Sequence, residues 1–212
     1  MDIIKDSVNR LEDVLEHSGC EDTGVLLDVD PDAKNCQFER GACMTASFGG
    51  RTAEFVTDDP IRAMTKISFM FGAPLDAPGV RSAACAIINV ATVFFCLSRV
   101  RRACPVLSHA ACLNEIIAVL DGSRIFCIGK IPVLERARGI SLTNDIDEAE
   151  IILVNNEGII ESETGNLIES FSGKKRIIFL GSSTSGVCRL QHGEHWCPYG
   201  LSKPDVMPDP SR

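Results

Sequence analysis

The chain lacks an excess of basic residues, a long unbroken apolar run and a glycine-rich nucleotide fingerprint, and each absence removes a class of function. Its net charge is -8 over 212 residues, whereas neutralising nucleic-acid phosphates takes clustered Lys and Arg, so no nucleic-acid partner is expected. The densest basic cluster, Arg99, Arg101 and Arg102, reads either as a solvated helix end or as a seat for one anion. The longest apolar stretch, Ala83 to Leu97, contains Asn89 and Thr92 and falls short of the roughly 20 residues a membrane span needs. It reads as a buried helix, with no membrane partner. The opening MDIIKDSVNRLEDVLEHSG is acidic where a signal peptide is basic and has no continuous apolar core, which points to the cytoplasm. No GxSxG elbow is present, and four histidines leave few general bases, so catalytic residues and an enzymatic role are left unassigned.

What is present is ordinary globular material, 45% hydrophobic and 24% charged, with ten cysteines. Without an export signal those thiols are expected to be reduced, and Cys85, Cys96 and Cys127 sit inside apolar runs where a thiol acts as a small hydrophobe. Residues 2 to 18 place Ile4, Val8, Leu11, Val14 and Leu15 on one helical face, closed by Gly19. GVLLDVD, GACMTASF and RTAEFVT then read as a small antiparallel meander, the last hairpin turning at Gly49-Gly50. Asp58-Asp59-Pro60 signals a helix to about Met70. FGAPLDAPG follows as a linker or functional loop, then a helix from Val80 to Leu97 sandwiched between two halves, and a second helix from Ser108 to Leu120. Ala103 to Leu107 is read as a short strand or a plain connection.

From Arg124 to Ser185 four short runs rich in Ile, Val, Leu and Phe each end in a polar or Gly-containing turn, the pattern of strands buried on both faces of a parallel sheet. The fold class is therefore α/β: a Rossmann-like, mostly parallel sheet over 79–200, a small N-terminal α+β domain of helix plus antiparallel meander over 1–78, and a loosely ordered tail over 201–212. In such sheets ligands bind at the carboxyl ends of the strands. The candidate ligand-binding residues are Gly129, Lys130 and Pro132; Asn144 and Asp145; Asn155, Asn156 and Glu157; and Gly181, Ser182, Ser183 and Thr184. Only one glycine of a dinucleotide fingerprint is present, Gly129. Asp145 is placed to hold a ribose hydroxyl or merely to cap a helix. Asn155 and Asn156 can serve a heterocycle or simply a turn. The Gly181–Gly186 turn offers backbone N–H groups to an anion.

Cys188, His192, His195 and Cys197 form C-x3-H-x2-H-x-C, ligand types that suit a transition metal such as zinc, with His109, Cys104 or Cys112 as further donors. The alternative is a surface pair of histidines beside an aromatic lid, Trp196 to Tyr199.

The order of elements, together with RSAACAIINV, SRIFCIGKIP, EAEIILVNNEGII and RIIFLGSSTSGV, resembles the two-domain heavy-metal chelation family, which pairs an enolase-N-terminal-like domain with a Rossmann-like domain. The resemblance covers about residues 1 to 200, most firmly 79 to 186. It implies a cleft between the domains that binds metals or a pterin-like or flavin-like molecule. It places the family's Gly and Pro loop at Gly129, Ile131 and Pro132, its turn rich in Asn and Thr at Asn155, Asn156 and Glu157, where Asn156 and Glu157 replace part of the usual turn, and its GPSTP-like turn at Gly181 to Thr184. Ser182 and Ser185 stand here where the family has prolines. The leading expectation is a small-molecule-binding protein or biosynthetic enzyme with its ligand across the strand ends, the linker Gly72 to Gly79 and Asn89 closing one side. A metal-chelating or metal-delivery protein and a nucleotide- or S-adenosylmethionine-dependent transferase are the rivals. The apolar helix from Val80 to Leu97 also suggests a homodimer.

Overall fold

A computed structural model of the chain describes residues 1–200, and the tail expected over 201–212 lies outside the described residues. Helix α1 (Ile3–Leu15) begins at Asp2, whose Oδ1 accepts the N–H groups of Ile4 and Lys5 at 3.0 and 3.3 Å, satisfying donors that have no partner within the helix. The meander follows as β1 (Gly24–Asp30), β2 (Ala42–Phe48) and β3 (Arg51–Thr57). Gly49 and Gly50 turn the last hairpin with positive φ angles of 54° and 73°, the backbone that a two-residue hairpin turn demands.

The segment read as a helix after Pro60 is instead strand β4 (Ala63–Lys66) followed by one 3-10 turn, Ile67–Met70. β1 has a free edge, and β4 covers it antiparallel from Gly24↔Lys66 to Leu27↔Ala63, giving the order β3-β2-β1-β4. The ladder outweighs the local helix-start signal, and Met64, which a helix would have buried, is 74% exposed.

Helix α2 (Pro78–Phe94) is buried at every position from Arg81 to Val93, because it packs on β2 and β3 on one side and on the last helix of the chain on the other. The apolarity that suggested a second copy is thus covered within one chain. The three arginines beyond it lie in a loop: Arg101 is 5% exposed, with Nε donating to Thr52 O at 3.0 Å and Nη2 to Thr52 Oγ1 at 3.1 Å. It pins that loop to β3. Residues 103–107 form no strand, and a 3-10 turn, Val106–Ser108, leads into α3 (His109–Leu120).

The parallel half runs β5 (Arg124–Ile128), α4 (Pro132–Glu135), β6 (Ser141–Leu142), β7 (Ile151–Val154), α5 (Asn156–Ile160), α6 (Thr164–Phe171), β8 (Arg176–Leu180), α7 (Ser185–Leu190) and β9 (Glu194–Trp196). All pairings are parallel, in the order β6-β5-β7-β8-β9. The chain reverses its direction of travel across the sheet between β5 and β7, so the switch point of the fold lies at the ends of those two strands. The result is an α/β protein with a four-stranded antiparallel and a five-stranded parallel sheet. One apolar core runs from α1 and the meander through α2 to β7, β8 and α7; a second lies under α3 and α4. Among the described residues, no helix is long and apolar enough to cross a membrane.

Candidate functional site

The expected strand ends do converge, but much of what they hold is the chain itself. The loop between β1 and β2 carries Phe38, Glu39 and Arg40 across the carboxyl edge of the parallel sheet. At β7, Asn155 caps α5 by accepting the Gly158 N–H at 3.0 Å, while its Nδ2 donates to Phe38 O at 3.1 Å and Lys130 O at 2.9 Å. Asn156 donates from Nδ2 to Arg40 O at 2.8 Å and to Val56 O at 2.9 Å. At β8, the Ser183 N–H donates to Glu39 Oε1 at 2.8 Å and Ser182 Oγ to Glu39 Oε2 at 3.4 Å. The turn expected to cradle an anion therefore cradles the carboxylate of Glu39, which is 6% exposed.

Two glycines make this approach possible. Gly181 has φ 85°, and a Cβ there would overlap the Glu39 carboxyl; Gly129 has φ 88°, and a Cβ there would overlap the Asn155 side chain. Burial pushes the Glu39 carboxyl up to about 7, with the nearby Glu54 charge acting in the same direction and the bonds from Ser183 and Ser182 opposing it. Thr184 caps locally, Oγ1 donating to Leu180 O at 3.0 Å. Ser183 also binds the meander, its Oγ accepting the Val56 N–H at 2.9 Å. Asn89 of α2, expected to close one side of a ligand site, is spent on the chain itself, donating to Glu54 O at 2.9 Å and Ser183 O at 2.8 Å and accepting the Gly186 N–H at 2.8 Å.

The remaining candidates lie on either side. At the β5 end, the Lys130 N–H donates to Glu157 Oε2 at 3.1 Å, and Pro132 opens α4 at its first turn. Gly129, Lys130 and Asn144 share a small hollow of about 270 Å³ with Leu142 and Thr143. Asp145 stays outside it; its Oδ1 accepts the Asp147 N–H at 2.9 Å, a turn contact rather than a poised ribose ligand.

On the other side, beyond Asn156 and Glu157, a cleft of about 580 Å³ opens between the end of β3, the start of α2, and the α5–α6 corner. Its floor is Arg81, 4% exposed, whose Nη1 meets Asp2 Oδ2 at 2.5 Å and whose Nε donates to Ile160 O at 2.5 Å. The Arg81 guanidinium, together with the α1 N–H bonds, holds the Asp2 carboxyl below its ordinary value in spite of partial burial.

The Cys/His motif does not close on a metal. β9 puts His195 opposite Phe179 in the ladder, where its Nε2 donates to Gly181 O at 2.8 Å and burial lowers its pKa. Cys188 lies in α7 with its thiol pushed up to about 12 by burial. His192 is exposed with φ 54°. Cys197 faces Glu39, Cys104 and Cys112 and is raised by burial. Strand alternation and the α7–β9 turn send these side chains different ways. Among the described residues, no three His, Cys, Asp or Glu side chains come together closely enough to hold a metal ion. The donor set does not fit one, and no step is assigned to a metal.

Glu39 and Arg81 were not singled out by sequence, and Asp2 was read only as the start of the first helix. Glu39 sits in KNCQFERG, a polar loop whose only hint is the stranded Phe38, 1% exposed.

Fold and cleft define an α/β protein in which a small antiparallel unit closes part of the carboxyl edge of a parallel sheet and leaves a cleft beside it. No family model matches the sequence, and no curated protein matches it. Among solved structures, the chain is similar to a DUF364-family protein of unknown function from Pyrococcus horikoshii, with 13% identity over 85% of this chain and 79% of that one and a TM-score of 0.48. It is likewise similar to a DUF364-family protein of unknown function from Desulfitobacterium hafniense DCB-2, with 13% identity over 88% and 84% and a TM-score of 0.48.

Proposed function

We propose that this chain is a cytoplasmic small-molecule-binding protein, or a biosynthetic enzyme, whose ligand occupies the cleft between the antiparallel unit and the parallel sheet beside the carboxyl end of β7. The observation that carries this reading is the 580 Å³ opening next to Asn156 and Glu157, a volume within the range of about 300–1,000 Å³ typical of ligand pockets and adjacent to the switch point of the sheet. Because Glu39 fills the nest at β8, the ligand belongs beside that nest rather than in it. The cleft lining carries carboxylates, a hydroxyl pair and an amide but neither Cys nor His, so binding is better supported than nucleophilic chemistry. The resemblance to the heavy-metal chelation family supports the same interdomain placement.

A thermal-shift screen of neutral, anionic and cationic metabolites tests the reading. A ligand at about 100 times its Kd adds roughly 2.7 kcal/mol, a rise of about 5–10 °C for a chain of this size. Ser162→Trp, at an exposed position on the cleft rim, is expected to abolish that rise while leaving the unliganded Tm unchanged. A screen with no responding compound, or a response that survives Ser162→Trp, contradicts the proposal.

A further inference from the structure

We propose that residues 72–79 form a strap at the edge of the cleft and that Arg81, set in place by Asp2, latches this strap to the α5–α6 corner, so that the two walls open as one unit; this rests on the cleft reading above and deepens it. Asp76 and Pro78 of the strap and Ile160 and Glu161 of the corner all line the cleft. One guanidinium holds both stretches. Arg81 Nη1 donates to Leu75 O in the strap at 3.2 Å, while Nε and Nη2 donate to Ile160 O at 2.5 Å and Glu161 O at 3.4 Å in the corner. The same group meets Asp2 twice, Nη1 to Oδ2 at 2.5 Å and Nη2 to Oδ1 at 3.2 Å, the two-pronged pairing that fixes a guanidinium in its plane. Because Arg81 is 4% exposed, losing that carboxylate leaves a buried charge uncompensated. Its grip on the three carbonyls therefore depends on Asp2.

The strap is strained where it is latched. Leu75 has φ 50°, a region that residues with a Cβ seldom occupy because the Cβ crowds the following carbonyl. The other non-glycine residues with positive φ among the described residues, His17, Cys96 and His192, are exposed, whereas Leu75 is 1% exposed. Such a conformation persists only where the surroundings over-determine it. Two contacts do so here: the Leu75 side chain sits in the apolar core shared with α1 and α2, and its carbonyl is held by Arg81. Pro74 and Pro78 bias the residues before them to extended backbone, so the bend is concentrated at Leu75 and at Gly72, which has φ 70° and open space around it. The remaining tether, Asp76 to Lys5 at 3.3 Å, is exposed on both sides and adds little. Release of Arg81 frees the strap and the corner together.

Amide hydrogen exchange of the full chain, followed by NMR with no ligand present, tests the inference. Three amides report on it: Arg81 N–H, bonded to Ala77 O at 3.0 Å on the strap side, and the Glu161 and Thr164 N–H groups, bonded to Gly158 O and Glu161 O at 3.3 Å in the corner. In the parent they are expected to share one opening equilibrium, of lower free energy than global unfolding. Asp2→Asn keeps an oxygen to cap α1 but removes the charge that sets Arg81. It is expected to accelerate all three amides by at least about tenfold, equivalent to about 1.4 kcal/mol, and by equal factors. Asp6→Asn removes another ion pair of α1, with Arg10 at 2.7 Å, outside the latch, and is expected to change these rates less than about twofold. No acceleration in Asp2→Asn, acceleration on one side of the cleft only, unequal opening in the parent, or the same acceleration in Asp6→Asn overturns the inference. Because the rates are read without ligand, the two readings fail separately: a thermal screen in which nothing responds removes the cleft reading and leaves the latch standing, and acceleration confined to one wall removes the latch and leaves the cleft reading standing.

Discussion

At the scale of single residues, the most consequential side chain is Glu39. Its folded pKa is about 7 against an ordinary 4.5, chiefly through burial, with Glu54 on β3 adding to the shift. Between about pH 4.5 and 7 the folded protein holds a proton that the unfolded chain has released. This contribution to stability is therefore complete below about pH 4.5 and is lost as pH rises to about 7, by on the order of 3 kcal/mol. Glu39→Gln keeps an oxygen for the Ser183 N–H and is expected to remove that fall, as read from urea denaturation at pH 5 and pH 8; an unchanged pH dependence in the variant contradicts the assignment. Gly181 and Gly173 separate backbone strain from collision. Both have positive φ, 85° and 73°, but a Cβ at Gly181 meets Glu39 while one at Gly173 meets nothing. Gly181→Ala is expected to cost more than about 2 kcal/mol and Gly173→Ala about 1 kcal/mol, by denaturant midpoint. Residue types legible in sequence, the glycines and asparagines at the strand ends, do hold special geometry. Their partners were not legible, because Phe38, Glu39 and Arg40 reach them from more than a hundred residues away in the chain, and no local pattern encodes such a contact.

At the scale of elements, period and turn chemistry identified α1, the three meander strands, α2, α3 and all four runs of the parallel half, β5, β6, β7 and β8. β4 and β9 were missed for one reason: each is a short edge strand that exists by pairing with a neighbour, β1 and β8 respectively. Asp58-Asp59-Pro60 carries a sound helix-start signal, but four residues of ladder on β1 outweigh it. The distinction is measurable at Met64. As an exposed residue of β4 it tolerates Met64→Lys within about 0.5 kcal/mol, whereas a core-facing helical Met would cost about 2–5 kcal/mol on truncation or more on charging. A large loss of stability in Met64→Lys contradicts the strand.

At the scale of the whole molecule, α2 couples the two sheets. Its residues from Arg81 to Val93 are buried, and Ile87, 0% exposed, belongs to the core shared by the meander, β7 and β8. The boundary read after residue 78 falls in the first turn of α2, and the apolar core continues across it. Ile87→Ala is expected to lower stability by about 2–5 kcal/mol and to accelerate hydrogen exchange in β2 and in β8 alike; protection lost in only one sheet would show the halves to be independent. The same coupling explains why the carboxyl edge of the parallel sheet was legible as the place to look, while the open volume was not: part of that edge is filled by the antiparallel unit, and the cleft is what remains. An amide-detected NMR titration with the strongest-responding compound from the thermal screen tests the cleft directly. The account predicts perturbed amides at Asp58, Asp59, Gly79, Glu157 and Ser162, and quiet ones at Thr143 and Asn144. Perturbation centred on Gly129 to Asn144, or spread evenly over the acidic surface, would contradict it.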